Sequence, residues 1–211
     1  MRAAASYPAV LDLGGLEALV LGGGAVALRK LRGLPEGMKR IRVVAPKFSA
    51  ALRIWARRHT EVQLLSRVFR PTDLVGCRLL FCCSNDAEAN AVAARRARRT
   101  GAWVCQAQDP AQGNLSVPAR ARAGGLLLTV STGGASPALA KALRVHFEDQ
   151  LKASDLPWLL GQLRRRRAGI KSASDHKTRL IRRLADPKVV AVALGPRTAR
   201  GRRRLEALFR D

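Results

Sequence analysis

Leu19-Val-Leu-Gly-Gly-Gly-Ala-Val-Ala-Leu-Arg-Lys30 is the stretch whose reading decides the fold. A mostly apolar run over residues 16–21 stops at three glycines and gives way to residues that favour a helix, so a buried strand turns directly into a helix. Gly22 permits the tight turn, Gly24 lets the backbone approach a pyrophosphate, and small Ala27 lets the helix lie close on the strand. The free N–H groups and positive end of the helix then face the anion. The pattern is G-x-G-x-x-A, a dinucleotide signal that is weak alone, because glycine-rich turns also close ordinary βα units. Its position after a strand and before a helix favours the cofactor reading.

The chain has 211 residues, about 1.4 times a usual domain, which predicts one domain with an appendage or two small ones. Hydrophobic residues make up 47% and aromatics 4%, so the core is built from Leu, Val and Ala. The longest apolar runs, such as residues 125–130, fall far short of the ~20 residues of a membrane span, and no secretory signal precedes the first strand-like sequence. A soluble, cytoplasmic protein without a membrane partner is expected. Lys and Arg number 39 against 15 Asp and Glu, a formal charge of +24 that attracts polyanions of any kind. No nucleic-acid motif accompanies the charge and stacking aromatics are scarce, so solvated helix faces such as residues 94–99 account for it better than a specific nucleic-acid partner. Cys77, Cys82, Cys83 and Cys105 fall in strand-like sequence without a C-x-x-C pair or a histidine at ligand spacing, and read as buried, reduced thiols. His59, His146 and His176 are scattered, and no metal site is expected.

In chain order, residues 7–13 form a short apolar edge segment turned by Gly14-Gly15, and a helix is predicted from Val26 to Leu34. A second strand over residues 40–45 ends in Ala45-Pro46-Lys47, where many dinucleotide folds carry a ribose-gripping carboxylate. Its absence weakens a generic NAD geometry. Lys47 could tolerate a ribose phosphate, or be simply solvated. Ser49 caps a helix through Trp55 to Arg58, a short strand covers residues 62–65, and residues 77–83 form a strand covered on both faces. Ser84-Asn85-Asp86 stands at its C-terminal end, a helix follows over residues 87–99, and a strand over 102–105. A polar loop, residues 106–114, overlooks the same crevice as the glycines. Strands over 115–119 and 126–130 read as a hairpin. Ser136 then caps and Pro137 opens a helix to about Leu151. A helical tail begins at Asp155, punctuated by Asp175, Asp186-Pro187 and Gly195-Pro196, with its arginines mostly in water.

Four stretches together carry a family likeness: Tyr7-Pro-x-x-Leu-Asp-Leu13, Val20-Leu-Gly-Gly-Gly-x-Val-Ala-x-Arg-Lys30, Val43-Val-Ala-Pro46, and Val130-Ser-Thr-Gly-Gly-Ala-Ser-Pro-Ala-Leu-Ala140. They resemble the precorrin-2 dehydrogenase family, which includes the N-terminal part of sirohaem synthase and a dehydrogenase/ferrochelatase. The resemblance implies an α/β fold with an N-terminal Rossmann-like parallel sheet (residues 1–113), a small α/β segment through which two chains form a homodimer (114–152), and a C-terminal helical domain (153–211). It implies NAD-dependent oxidation of precorrin-2 to sirohydrochlorin, with iron insertion in some members.

Carried over residue by residue, the resemblance sets NAD against Gly22, Gly23, Gly24, Ala25 and Val26, against Pro46 and Lys47, and against Ser84 and Asn85. It sets the tetrapyrrole against Thr132, Gly133 and Ser136. Relatives carry an aspartate ten positions before the proline that is Pro118 here, and that position is Gln108. An amide cannot take a proton at neutral pH, and the nearest carboxylate is Asp109. Asp109 is thus the candidate catalytic residue, with turn-capping before Pro110 an equal alternative. A catalytically weakened NAD- or tetrapyrrole-binding carrier or sensor is the competing reading. The many carboxylates of the substrate give the basic surface a use in electrostatic steering.

Overall fold

The structure, a computed structural model, describes residues 7–169, 183 and 186–209. Its internal contacts divide the chain into two units, with the division between Val117 and Pro118.

The first unit is a five-stranded parallel sheet. Strands β1 (Glu17–Leu21), β2 (Arg40–Ala45), β3 (Val62–Ser66), β4 (Cys77–Cys82) and β5 (Trp103–Gln106) lie in the order β3-β2-β1-β4-β5. Chain order reverses on either side of β1, and such a switch point leaves a crevice at the C-terminal strand ends. Alternation along β1 serves two cores. Ala18 and Val20 face Ala27, Leu28 and Leu31 of helix α1 (Ala25–Leu31) and Leu52 of α2 (Ala50–Ala56). Leu19 and Leu21 face Ala93, Ala94 and Ala97 of α3 (Ala87–Arg99). Small alanines let α3 approach the sheet, while Arg95, Arg96, Arg98 and Arg99 of the same helix are exposed. Ser49 Oγ accepts from Leu52 N–H and Asp86 from Ala89 N–H, capping α2 and α3. Helix α1 is shorter than its sequence suggests. It closes through tight turns in which Gly33 N–H donates to Lys30 O and Leu34 N–H to Leu31 O, and Leu34 packs on the core from outside the helix.

The second unit opens with an antiparallel hairpin of β6 (Ala119–Ala123) and β7 (Leu126–Val130). The strand expected over residues 115–119 is displaced by about one turn of sequence, for a physical reason. Leu115 belongs to the first core, and its N–H and that of Asn114 both bond Val104 O. The true strand is Ala119-Arg-Ala-Arg-Ala123, in which Ala121 and Ala123 are buried while Arg120 and Arg122 face outward. Helix α4 (Pro137–Ala153), capped by Ser136, packs on the hairpin. Helices α5 (Leu156–Gly169), α6 (Pro187–Leu194) and α7 (Ala199–Ala207) follow, the last two capped by Asp186 and Thr198. Leu159, Ala193 and Leu205 form their shared core. Several tail arginines are structural rather than solvated. Arg202 reaches the buried Asp155 at 2.6 Å and lies 4.2 Å from the Trp158 ring centre, and Arg197 donates to Ser154 O and Lys152 O. Arg164 donates to Gly125 O. Asp175 and His176 lie outside the described residues.

Candidate dinucleotide site

The glycine loop sits where three strands end. Gly22 N–H donates to Val44 O at 2.9 Å, Cys83 N–H to Leu21 O at 2.8 Å and Ser49 N–H to Gly23 O at 2.9 Å, so the ends of β1, β2 and β4 are sewn together. Each glycine meets a different constraint. Gly22 has φ +116, and a Cβ there would lie 2.5 Å from Cys83 O. At Gly23 a Cβ would lie 2.0 Å from Lys47 O. At Gly24 a Cβ would meet nothing within 4 Å. The first two glycines therefore serve the protein's own packing, and the third borders open space at the start of α1. No side chain caps that helix start, and Gly24, Ala25 and Val26 are exposed. An open, uncapped turn of backbone beside a tight strand-to-helix connection fits a pyrophosphate.

A family model described as "Putative NAD(P)-binding" matches residues 9–119. The chain belongs to this NAD(P)-binding family. Curated relatives include proteins named "Siroheme synthase". That of Pseudomonas aeruginosa is 35% identical over 172 residues, covering 82% of this chain and 35% of the relative. That of Methylococcus capsulatus is 38% identical over 141 residues, covering 67% and 30%. That of Gluconobacter oxydans is 34% identical over 149 residues, covering 69% and 31%. The chain thus spans about a third of the length of these relatives. Among solved structures, "SirC, precorrin-2 dehydrogenase" matches with a TM-score of 0.76 at 24% identity, covering 98% of this chain and 100% of that one, a likeness of fold.

In the NAD(P)-binding domain, the crevice gathers the sequence candidates of the first unit. Pro46 and Lys47 leave β2 exposed, while Phe48 turns into the core. After β4, Ser84 Oγ accepts from Asp86 N–H, and Asn85 is exposed. Ser84 O receives two amides, Asn90 Nδ2 at 2.8 Å and Gln108 Nε2 at 3.3 Å. Gln108 therefore reaches the strand end beside the glycine loop. Asp109 caps a short 3-10 turn, Pro110–Gln112, accepting from Ala111 N–H at 3.1 Å and Gln112 Nε2 at 2.8 Å. Each carboxylate oxygen keeps a second lone pair, and Asp109 is exposed.

Two features of this domain were hidden in the sequence. Gly23 stood as a free position in G-x-G-x-x-A, yet it is the glycine with the closest backbone approach. Asn90, buried in the first turn of α3, braces the loop after β4; an asparagine four residues after an N-capping Asp86 was its only signal. Lys30, part of the family-like stretch, is half-buried against β4 and β5. Its ammonium donates to Cys105 Sγ at 3.4 Å and lies 5.7 Å from the Phe81 ring centre. Burial pushes the Cys83 thiol up to about 11 despite the pull of Lys30 and Arg29, so it stays protonated at neutral pH and is no nucleophile.

Thr132, Gly133 and Ser136 belong to the second unit, in the loop between β7 and α4. Thr132 Oγ1 accepts from Ser136 N–H at 3.0 Å and donates to Ser136 O at 3.1 Å, while Ser131 Oγ accepts from Gly133 N–H. The loop is locked internally, with Gly133 and Gly134 at positive φ and open space beside both. His59 stacks on Trp55 and bonds Glu61, and His146 meets Phe147 edge-on. Among the described residues no group of three or more His, Cys, Asp or Glu could hold a metal, and no helix is long and apolar enough to cross a membrane.

Proposed function

We propose that the chain oxidises precorrin-2 to sirohydrochlorin, with NAD as hydride acceptor, as a step toward sirohaem. The observation that carries this reading is the reach of the likeness to "Siroheme synthase": its 172 residues at 35% identity are more than the NAD(P)-binding model's residues 9–119 can hold. NAD would supply a two-electron acceptor for the hydride that leaves the macrocycle, and one proton leaves with it. Gly24, with the backbone of Ala25 and Val26, borders the pyrophosphate, and Gly22 and Gly23 hold that turn tight on the strand ends. Pro46 and Lys47 border the adenosine, and Ser84 and Asn85 border the nicotinamide half. Asp109 takes the released proton on a free lone pair while its turn holds it in place. Gln108 serves as a donor rather than a base. Thr132, Gly133 and Ser136 offer the tetrapyrrole a rigid, open loop.

Two chains pair through the hairpin and α4 in this account. Leu126, Leu127, Leu128 and Val130 of β7 are only half-buried, and Leu139 and Val145 on α4 are exposed. A two-stranded hairpin with that surface is marginal alone and gains a core by pairing. The four unpaired thiols fit a reducing compartment, and the cytoplasm is the one proposed.

Supplying NAD and precorrin-2 together tests the reading, with NADH absorbance as the signal; its absence, with no sirohydrochlorin formed, refutes it. A carrier or sensor that binds without turnover draws on the amide at Gln108, and it predicts that Gln108→Asp creates an activity absent from the parent chain.

A further inference from the structure

We propose that the adenosine end of the site admits a ribose 2′-phosphate, so that the chain binds NADP as well as NAD, with Lys47 setting that tolerance. The inference rests on the dinucleotide reading above and concerns the one part of the site where this chain lacks a usual device. NAD-selective folds end the second strand with a carboxylate that bonds the ribose hydroxyls and repels a phosphate. Here β2 ends in Ala45 and is followed by Pro46-Lys47. From Lys39 to Thr60 the sequence carries Lys39, Arg40, Arg42, Lys47, Arg53, Arg57 and Arg58 and no Asp or Glu.

The structure holds Lys47 beside the glycine loop. Its carbonyl packs against Gly23, the next residue Phe48 is buried, and Ser49 N–H holds Gly23 O at 2.9 Å, so the segment cannot swing away from the glycine loop. The Lys47 side chain is exposed and in no ion pair among the described residues. Arg53 lies 5.6 Å from the Phe48 ring centre and brings a second cation to the same connection. The acids nearest in sequence, Glu36 and Glu61, precede β2 and β3 and so stand at the opposite edge of the parallel sheet. Glu61 is moreover engaged by His59. A phosphate on the ribose would thus meet cations and no carboxylate from this connection.

Calorimetric titration of the full chain with NAD and with NADP provides the test. The expected result is an NADP Kd within about fivefold of that for NAD, the range that one exposed ion pair spans. Raised salt should weaken NADP more than NAD. Lys47→Glu, which restores the missing carboxylate, should raise the NADP Kd about tenfold or more and raise the ratio of the NADP Kd to the NAD Kd. Lys47→Ala should fall between. NAD binding with NADP more than about thirtyfold weaker would overturn the proposal and leave the dinucleotide reading standing. Equal effects of Lys47→Glu on both nucleotides would also overturn it, and binding of neither would overturn both.

Discussion

Alanine at Gly23 and alanine at Gly24 should fail in different ways, because the two adjacent glycines face different things. At Gly23 a Cβ would lie 2.0 Å from Lys47 O and 3.0 Å from both Lys47 C and Phe48 Cα, all backbone atoms. Relief requires moving the connection after β2 by more than an ångström, which costs about 1–3 kcal/mol as overpacking. The same movement stretches the 2.9 Å bond from Ser49 N–H to Gly23 O, worth about 1 kcal/mol. Gly23→Ala should therefore destabilise the first unit by about 2–4 kcal/mol. At Gly24 nothing lies within 4 Å and φ is −96, so alanine there costs the fold only about 1 kcal/mol, the preference of an N-cap for glycine over alanine. Its methyl group nonetheless fills the space assigned to the pyrophosphate. The Kd for NAD should rise at least about tenfold, or 1.4 kcal/mol. Urea unfolding followed by circular dichroism reads the first quantity, and fluorescence titration with NADH reads the second. Wild-type nucleotide affinity in Gly24→Ala, or a Gly23→Ala variant as stable as Gly24→Ala, would refute the reasoning.

Glu17 is buried at the start of β1 among Arg40, Arg42 and Lys39, so Glu17→Ala strands the buried Arg42 guanidinium and should cost about 3 kcal/mol in urea unfolding. Hydrogen bonding from Arg40 holds Glu17, and from Arg67 holds Asp73, below the usual carboxylate range. The unfolded chain then binds protons more readily. That stability is complete above the unfolded carboxylate range and is lost as pH falls below about 5, which unfolding curves at stepped pH would register as a falling midpoint. In the second unit, Arg202→Ala leaves the Asp155 carboxylate buried and removes the cover over Trp158, and a loss of about 2–3 kcal/mol is expected by thermal unfolding. Asp109→Asn should slow the proposed dehydrogenation about a hundredfold or more with little change in nucleotide binding; an unchanged rate would mean that water or the substrate's own carboxylates take the proton.

Most of the first unit was legible because its signals are local. The β4 run and the helix capped at Ser49 follow from residues within one element, and β2 and α3 match their expected bounds, while the cap at Asp86 shows only in the structure. The hairpin was less so. Ala119-Arg-Ala-Arg-Ala123 has the alternation of a strand but not its β-branched residues, whereas Leu115 looked like a strand residue and is held by Val104 and the first core instead. The roles of the tail arginines depended on partners some 40 residues away, such as Asp155 for Arg202 and Lys152 for Arg197, which no local pattern reveals. At the site, the open glycine was readable from G-x-G-x-x-A. That Gly23 is bound to the β2 connection was not, since the constraint comes from the carbonyl of Lys47 across the sheet end.

The most direct test of the proposed dehydrogenation is the stoichiometry of its two products, followed together by absorbance in one anaerobic reaction of the purified chain with NAD and precorrin-2. NADH and sirohydrochlorin should accumulate at equal rates, and both should slow together in Gly24→Ala. Sirohydrochlorin forming no faster than in a protein-free control, with no NADH, would contradict it.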